Sequence, residues 1–208
     1  MAVDDDTAAL RAGVALFNAG EYHAAHDPWE TAWLALPDDD PDEPLFHGLI
    51  QFTAAVHHAR GRNWTGAVGL AAGARDYLGP LPDRHRGVDV AAVRAAVRAL
   101  EADPERVERA PTAPLTHDGD ELGYADLSLQ AAAAAADAVA AEYGYDDDVV
   151  ADAARYAELE SERGRSRFAA LLFDFLTEEA GRGFIHGRLT DLVAQRRRKE
   201  EDVTGLFD

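Results

Sequence analysis

The sequence contains no cysteine and, among its 208 residues, a single lysine at position 199. The absence of cysteine excludes disulfide frameworks and metal sites with thiolate ligands. With lysine almost absent, 20 basic residues stand against 39 acidic ones, which gives a formal net charge of -19. In molar salt the self-repulsion of such a chain is screened, and its carboxylates keep the surface hydrated. The composition predicts a halophilic protein with an acidic surface; the alternative is an ordinary acidic protein or one that binds cationic partners.

Long apolar runs and basic surfaces are also missing. No apolar run approaches the length that crosses a membrane, and residues 1–6 have neither the positive nor the apolar part of a secretion signal. The one basic cluster, residues 196–199, is followed at once by three acids. A protein that neutralises nucleic-acid phosphates needs a basic face. We therefore expect a cytoplasmic protein that binds neither nucleic acid nor a membrane.

Apolar residues recur at helical spacing along the chain. The pattern i, i+3, i+4, i+7, i+8 is typical of an amphipathic helix, and it is followed by Phe168, Leu171, Leu172, Phe175 and Leu176. No segment alternates polar and apolar residues between hairpin turns, so no strand is predicted. The predicted fold class is all-α, a compact bundle of antiparallel helices with additional C-terminal helices.

The distribution of proline and glycine suggests domain boundaries. Residues 1–110 are predicted to form a helical core. Residues 111–125, which contain two prolines and two glycines, are predicted to form a linker or a long loop. Residues 126–208 are predicted to form a C-terminal helical extension that packs on the core.

Three short polar residues precede helical patterns and are predicted N-caps. Asn63 and Asp89 stand before the fourth and fifth helices. Asp27 precedes Pro28, and Glu30 follows three residues after Asp27, which fits a cap, a first-turn proline and a capping box. The second helix is therefore expected to begin near Pro28.

One helical segment in the first third of the chain carries no charge. There is no Asp, Glu, Lys or Arg from Leu45 to Ala59, in a chain that is 28% charged. We expect this helix to be buried nearly all round. Its His47, Gln51 and His58 fall within about 40° of one another, opposite the apolar face. Buried polar side chains must be hydrogen-bonded or must hold a ligand.

The preceding segment carries His26 and Glu30, which become i, i+4 neighbours if the second helix extends back through Pro28. His26, Glu30 and His58 are residue types that bind Zn, Mn or Fe, with Gln51 as an orienting or weak ligand. The alternative is a buried polar network in which Glu30, Gln51 and His58 satisfy one another. No nucleophile elbow or phosphate-binding glycine loop is present.

Several separated blocks of the sequence together resemble a known family. The blocks are Phe17-Asn18-Ala19-Gly20-Glu21-Tyr22, His26-Asp27 with Glu30 and Trp33, Gly48-Leu49-Ile50-Gln51 with His58, and Gly61, Asn63 and Gly66-Ala67. Over roughly the first 80 residues they resemble the family known as domain of unknown function 309. Residues beyond about Gly123 resemble the extension of haloarchaeal members.

The resemblance implies a compact all-helical fold and no established activity. By position it marks as motif residues His26, Glu30, Trp33, Gln51 and His58. Two positions depart from the family pattern: Ala24 stands where an acid is usual, and Asp27 stands where Glu is usual. The first departure removes a carboxylate from any metal site, and the second suits a helix cap.

Two functions follow as hypotheses. The first is a helical binding or scaffold protein that self-associates as a homodimer and holds a small-molecule ligand at the polar site. Small residues in segments 66–73 and 129–141 favour it, because they allow close helix contacts. The second is a metal-dependent hydrolase in which His26, Glu30 and His58 hold the ion. The first is preferred because Ala24 reduces the supply of acidic ligands.

Overall fold

Helices dominate the structure, and the all-α prediction is confirmed. The computed structural model describes residues 2–161 and 165–204. Its contacts divide the chain into two compact units, Met1–Leu127 and Ser128–Asp208. Within the described residues, no helix is both long enough and apolar enough to span a membrane.

Residues 2–127 of the first unit include five α-helices. They are α1 (Ala2–Asn18), α2 (His26–Ala35), α3 (Glu43–Arg60), α4 (Trp64–Leu78) and α5 (Val90–Ala102). Two short 3₁₀-helices follow, at Pro104–Glu108 and Tyr124–Asp126. Each α-helix packs against the next one in the sequence. This order places α3 between α2 and α4, so its polar side chains meet residues of both neighbours.

The second unit contains α6 (Leu129–Tyr143), α7 (Asp147–Ser161), α8 (Arg167–Thr177) and α9 (Arg182–Thr204), with a 3₁₀-helix at Glu179–Gly181 before α9. The predicted stripe of α8 is buried, from Phe168 to Leu176. α8 contacts α6, α7 and α9, which explains why its apolar face is covered.

A small antiparallel sheet in the first unit corrects the prediction that the chain has no strands. Its strands are β1 (Arg84–His85), β2 (Val88–Asp89), β3 (Thr116–His117) and β4 (Asp120–Glu121), paired in that order. Two residues are too few to show an alternating pattern. The signal lay in the two hairpin turns, 86–87 and 118–119, in which both residues have positive φ. Each turn ends in glycine, and the second is the hairpin dipeptide Asp-Gly.

The apolar face predicted for α3 is confirmed. Leu45, Leu49, Phe52 and Val56 are each at most 1% exposed. From residue 45 to residue 59, only His57 is exposed, and the other polar side chains are half-buried or buried. The missing charge in this segment therefore reflects its central position in the unit.

A tryptophan fixes the position of α2. Trp29 is fully buried, and its indole Nε1–H donates to the Leu10 carbonyl of α1 at 3.3 Å. The ring lies over Gly13 so closely that a Cβ atom at residue 13 would overlap it. The absence of a side chain at one position of α1 thus creates the space in which α2 docks.

The cap predictions have two outcomes. Asn63 and Asp89 cap α4 and α5, because their side chains accept hydrogen bonds from the backbone N–H of Gly66 and of Ala92. The prediction for Asp27 was wrong. α2 begins two residues before Pro28, at His26, and Ala25 occupies the cap position with helical dihedrals. The N–H groups of residues 25–27 already donate to backbone carbonyls of the preceding turn, so no cap is needed there.

Two of the glycines of α4 face a neighbouring helix of their own unit. A Cβ atom at Gly66 would lie 2.7 Å from His58 Nδ1, and one at Gly73 would lie 3.1 Å from Gln51 Oε1. These two glycines therefore make room for polar side chains of α3. Seven residues of α6 are likewise buried, six alanines among them. Homodimer formation stays a prediction. These small residues no longer support it, because they make contacts within the chain.

The contact between Trp29 and Gly13 predicts the effect of a small substitution. Gly13→Ala is expected to lower the free energy of unfolding by roughly 1–3 kcal/mol, because the added methyl overlaps the indole ring. Gly69→Ala in α4 is the control, since a Cβ atom there meets nothing within 4 Å. This variant is expected to raise stability by about 0.5–1 kcal/mol through helix propensity. Urea unfolding measures both; equal effects would contradict the docking described.

Candidate metal centre

Three potential ligands gather at the beginning of α2. His26, Asp27 and Glu30 each offer one ligand atom, and these atoms all lie within 4.8 Å of one another. His26 and Glu30 are one turn apart because the helix begins at His26. His26 and Asp27 are half-buried, whereas Glu30 is exposed. The group therefore has a protein side, formed by the docked helix, and a side open to solvent.

Both ring nitrogens of His26 have oxygen partners. Nδ1 donates to the backbone carbonyl of His23 in the preceding turn, and Nε2 lies 2.9 Å from Asp27 Oδ1. The bond from Nδ1 fixes the ring orientation and aims Nε2 at the carboxylates. A metal-binding histidine is oriented in the same way when its other N–H donates to a carbonyl.

The same contacts favour the protonated form of His26. The hydrogen bond to Asp27 raises the pKa of His26 above its ordinary value of 6.5, and the charges of Asp27 and Glu30 act in the same direction. Partial burial opposes this shift. A metal ion at Nε2 must displace that proton, so binding at this group is coupled to pH.

His58 lies in a different environment from His26. Its Nδ1 accepts a hydrogen bond from Asn63 Nδ2 at 2.7 Å, while Asn63 Oδ1 accepts from the Gly66 N–H. The amide that caps α4 therefore also holds His58. Within the described ranges of the chain, His58 belongs to no group of three potential metal ligands.

Gln51 and Trp33 occupy two further places. Gln51 packs against Gly73 of α4. The ring of Trp33 lies 4.2 Å from that of His47, and His47 lies 4.6 Å from the ring of Tyr77. Among the described residues, no hydrogen bond joins Glu30, Gln51 and His58 to one another. The structure thus brings His26 and Glu30 together and places the other three motif residues in separate contacts.

Other charged clusters were missed in the sequence. Asp42 is buried, and its two carboxylate oxygens lie 2.7 Å from His85 Nε2 and 2.7 Å from Arg86 Nη1. His117 is also buried, and desolvation lowers its pKa below 6.5. No local sequence pattern assigns a role to His85 or His117. Their positions in the small sheet depend on long-range pairing, for which the two glycine-containing hairpin turns are the local signal.

The pKa of His26 can be tested by substitution. Asp27→Asn removes the largest cause of the raised pKa, so the pKa is expected to fall toward or below 6.5, since the opposing burial remains. Glu30→Gln is the control, because Glu30 contributes the smallest effect. NMR titration of the ring protons measures both variants. A pKa that does not respond to Asp27→Asn would contradict the contact.

The same pair has a defined effect on stability. Because the pKa of His26 is higher in the folded state, its contribution to stability is complete below about pH 6.5 and is lost as pH rises through the raised value. Wild type is expected to lose more stability than Asp27→Asn across that window. Urea unfolding at a series of pH values checks the difference; parallel curves would contradict it.

The comparison with known proteins identifies one family. Residues 10–70 match the family model described as Domain of unknown function (DUF309). No curated protein matches the chain. The matched segment runs from α1 into α4 and includes the whole of α2 with His26, Asp27 and Glu30. The resemblance seen in the sequence is confirmed over residues 10–70, the segment of the chain that is similar to the DUF309 family.

Proposed function

We propose that this protein binds a divalent transition metal ion, of the Zn, Mn or Fe class, through His26, Asp27 and Glu30. The observation that carries the proposal is the convergence of one imidazole and two carboxylates within 4.8 Å at the first turn of α2. Imidazole and carboxylate are ligands that these metals share. Two carboxylates also balance the charge of a divalent ion.

The spacing is compatible with one ion. Ligand atoms bound at about 2.1 Å lie at most about 4.2 Å apart, so side chains within 4.8 Å of one another need only small rotations. Trp29 is fully buried and holds the helix that carries all three. The Nδ1 contact of His26 with the His23 carbonyl provides the outer-shell support that metal ligands usually have.

Two effects oppose the binding of a cation here. The N-terminus of a helix carries partial positive charge, worth about 0.3–1 kcal/mol against a cation at a surface position. The proton held by His26 must also leave. The dipole acts at every pH, whereas competition from the proton reduces affinity most at mildly acidic pH. We therefore expect binding to strengthen as the solution becomes alkaline, with release of a proton.

The proposed ligands differ in part from the set predicted from the sequence. His26 and Glu30 are common to both sets, while Asp27 takes the place of His58. Asp27 was assigned to capping in the sequence, and its side chain instead contacts His26. The substitution of Asp for the usual Glu therefore keeps a carboxylate at this position, which supports a ligand role more than a capping role.

Metal titration of variants tests the proposal. Wild type in molar KCl is expected to bind one Zn²⁺ or Mn²⁺ ion by calorimetry. His26→Ala and Glu30→Gln are expected to weaken binding by more than about 100-fold, since loss of outer-shell partners alone costs about 10–100-fold. The matched control is Glu43→Gln, which removes the acid in the first turn of α3 and leaves the three ligands intact.

The outcomes separate the two ligand sets. Unchanged binding in His58→Ala supports the set with Asp27, and loss of binding in that variant supports the sequence-predicted set with His58. Binding that survives both His26→Ala and Glu30→Gln overturns the proposal. A wild type that takes up neither ion at neutral or alkaline pH also overturns it.

A metal-dependent hydrolase is the second candidate, favoured by the exposure of Glu30 on the outer side of the group. An ion held by three side chains leaves positions open to water, and such an ion can activate water for hydrolysis. If this is correct, metal-loaded wild type hydrolyses p-nitrophenyl acetate or bis(p-nitrophenyl) phosphate, and His26→Ala does not. Metal binding without hydrolysis of either compound would leave a binding protein and reject the enzyme.

A further inference from the structure

A mainly apolar cavity lies in the first unit, with a volume of about 310 Å³. Its walls come from α3, from α5, from the 3₁₀-helix Pro104–Glu108 and from the segment 110–113. Phe52, Val56 and Leu100 are buried and form its floor. The residues contributed by segment 110–113 are mostly exposed, so the mouth lies on that side. None of the three proposed metal ligands lines this cavity.

Small side chains border the cavity. Four alanines on one face of α5 line it, Ala92, Ala95, Ala96 and Ala99, at the spacing i, i+3, i+4, i+7. The neighbouring face of the same helix carries the larger Val93, Val97 and Leu100, which are buried, and Leu100 also reaches the cavity. The short alanine side chains do not fill the space beside them, which leaves a cavity of about 310 Å³.

Two polar groups line these apolar walls. The hydroxyl oxygen of Thr112 is buried and has no hydrogen-bond partner within the part of the chain that the structure describes. Buried hydroxyls are normally paired, and an unpaired one in a cavity wall can bind a ligand atom or water. Arg106 is the one charged residue among the described residues that line the cavity. Its guanidinium makes no hydrogen bond or ion pair with any residue the structure describes.

Arg106 lacks an acidic partner within residues 2–161 and 165–204, although acidic residues lie near it. Arg109, one turn further on, pairs with Asp103, and Arg62 pairs with Glu108 at 2.7 Å. Acids are thus available around this 3₁₀-helix, and Arg106 instead lies at an apolar cavity. An unpaired guanidinium beside an apolar space is complementary to an anion with an apolar body, and the fork of the guanidinium matches a carboxylate.

We propose that this cavity binds a small monocarboxylate with an unbranched apolar chain. The apolar chain of the ligand would lie against the alanine face of α5 and the floor formed by Phe52 and Val56. The carboxylate would pair with Arg106, and the Thr112 hydroxyl would donate a hydrogen bond to a carboxylate oxygen. A cavity of about 150 Å³ is known to hold benzene, so 310 Å³ has room for roughly twelve non-hydrogen atoms. A medium-chain fatty acid has this size.

Octanoate is the probe for the experiment. The control compound is 1-octanol, which has a chain of the same length and no charge. Calorimetry in molar KCl compares both compounds on the full chain, for wild type, Arg106→Gln and the control Arg109→Gln. Wild type is expected to bind octanoate more tightly than octanol. Arg106→Gln is expected to weaken octanoate binding by about tenfold or more, because it removes a charge-assisted hydrogen bond. Arg109→Gln is expected to leave binding unchanged, since Arg109 does not line the cavity.

A variant that fills the cavity tests its location. Ala96→Leu places a larger side chain in the cavity and is expected to abolish binding of both compounds, with unfolding curves confirming that the variant folds. Octanoate binding that is equal in wild type, Arg106→Gln and Ala96→Leu would overturn the proposal. Failure of wild type to bind octanoate would overturn it as well. Tight octanol binding without a preference for octanoate would reject the role of Arg106 and with it the carboxylate class.

Discussion

The position of Trp29 against Gly13 is the constraint on which the proposed metal centre depends. A short helix such as α2, with ten residues, gains little stability from its own hydrogen bonds. Its orientation is set by the buried indole ring, which needs the missing side chain of Gly13 and the Leu10 carbonyl. Because the ring fixes α2, it also fixes the direction in which the first turn of that helix presents its polar side chains.

Electrostatics at that first turn follow from where the helix begins. A start at Pro28 would have used the Asp27 carboxylate to cap backbone N–H groups. The chain instead enters α2 two residues earlier, through a turn whose carbonyls accept hydrogen bonds from the N–H groups of residues 25–27. The carboxylate of Asp27 is thereby free to contact His26. This difference of two residues in the helix start makes Asp27 a partner for the imidazole and a candidate ligand instead of a cap.

The sequence predicted what periodicity and short-range chemistry determine. The buried faces of α3 and α8 were correct because apolar spacing reports burial directly, and Asn63 was correct because capping is a local interaction. Asp27 was misassigned because Asp-Pro-x-Glu satisfies the local pattern of a cap whether or not the N–H groups already have partners. His58 showed the same limit: its helix face was correct, but its partner Asn63 was set by how α3 turns into α4.

The glycines of α4 were understood only in part. Their small size was recognised as a means of close contact, but the sequence did not show which neighbour would approach. Gly66 and Gly73 accommodate His58 and Gln51 of α3, so the close contact is internal. The cavity beside α5 was not recognised, because alanine at four positions of one helix face is also what a tightly packed helix shows. Only the placement of the neighbouring segment distinguishes a packed face from an open one.

The most direct test of the metal centre is anomalous diffraction at the zinc absorption edge from crystals of the protein grown with Zn²⁺ at neutral to alkaline pH. The account predicts one strong peak at the beginning of α2, about 2.0–2.2 Å from His26 Nε2 and from one carboxylate oxygen each of Asp27 and Glu30. A well-occupied zinc peak elsewhere, with none beside His26, would contradict it.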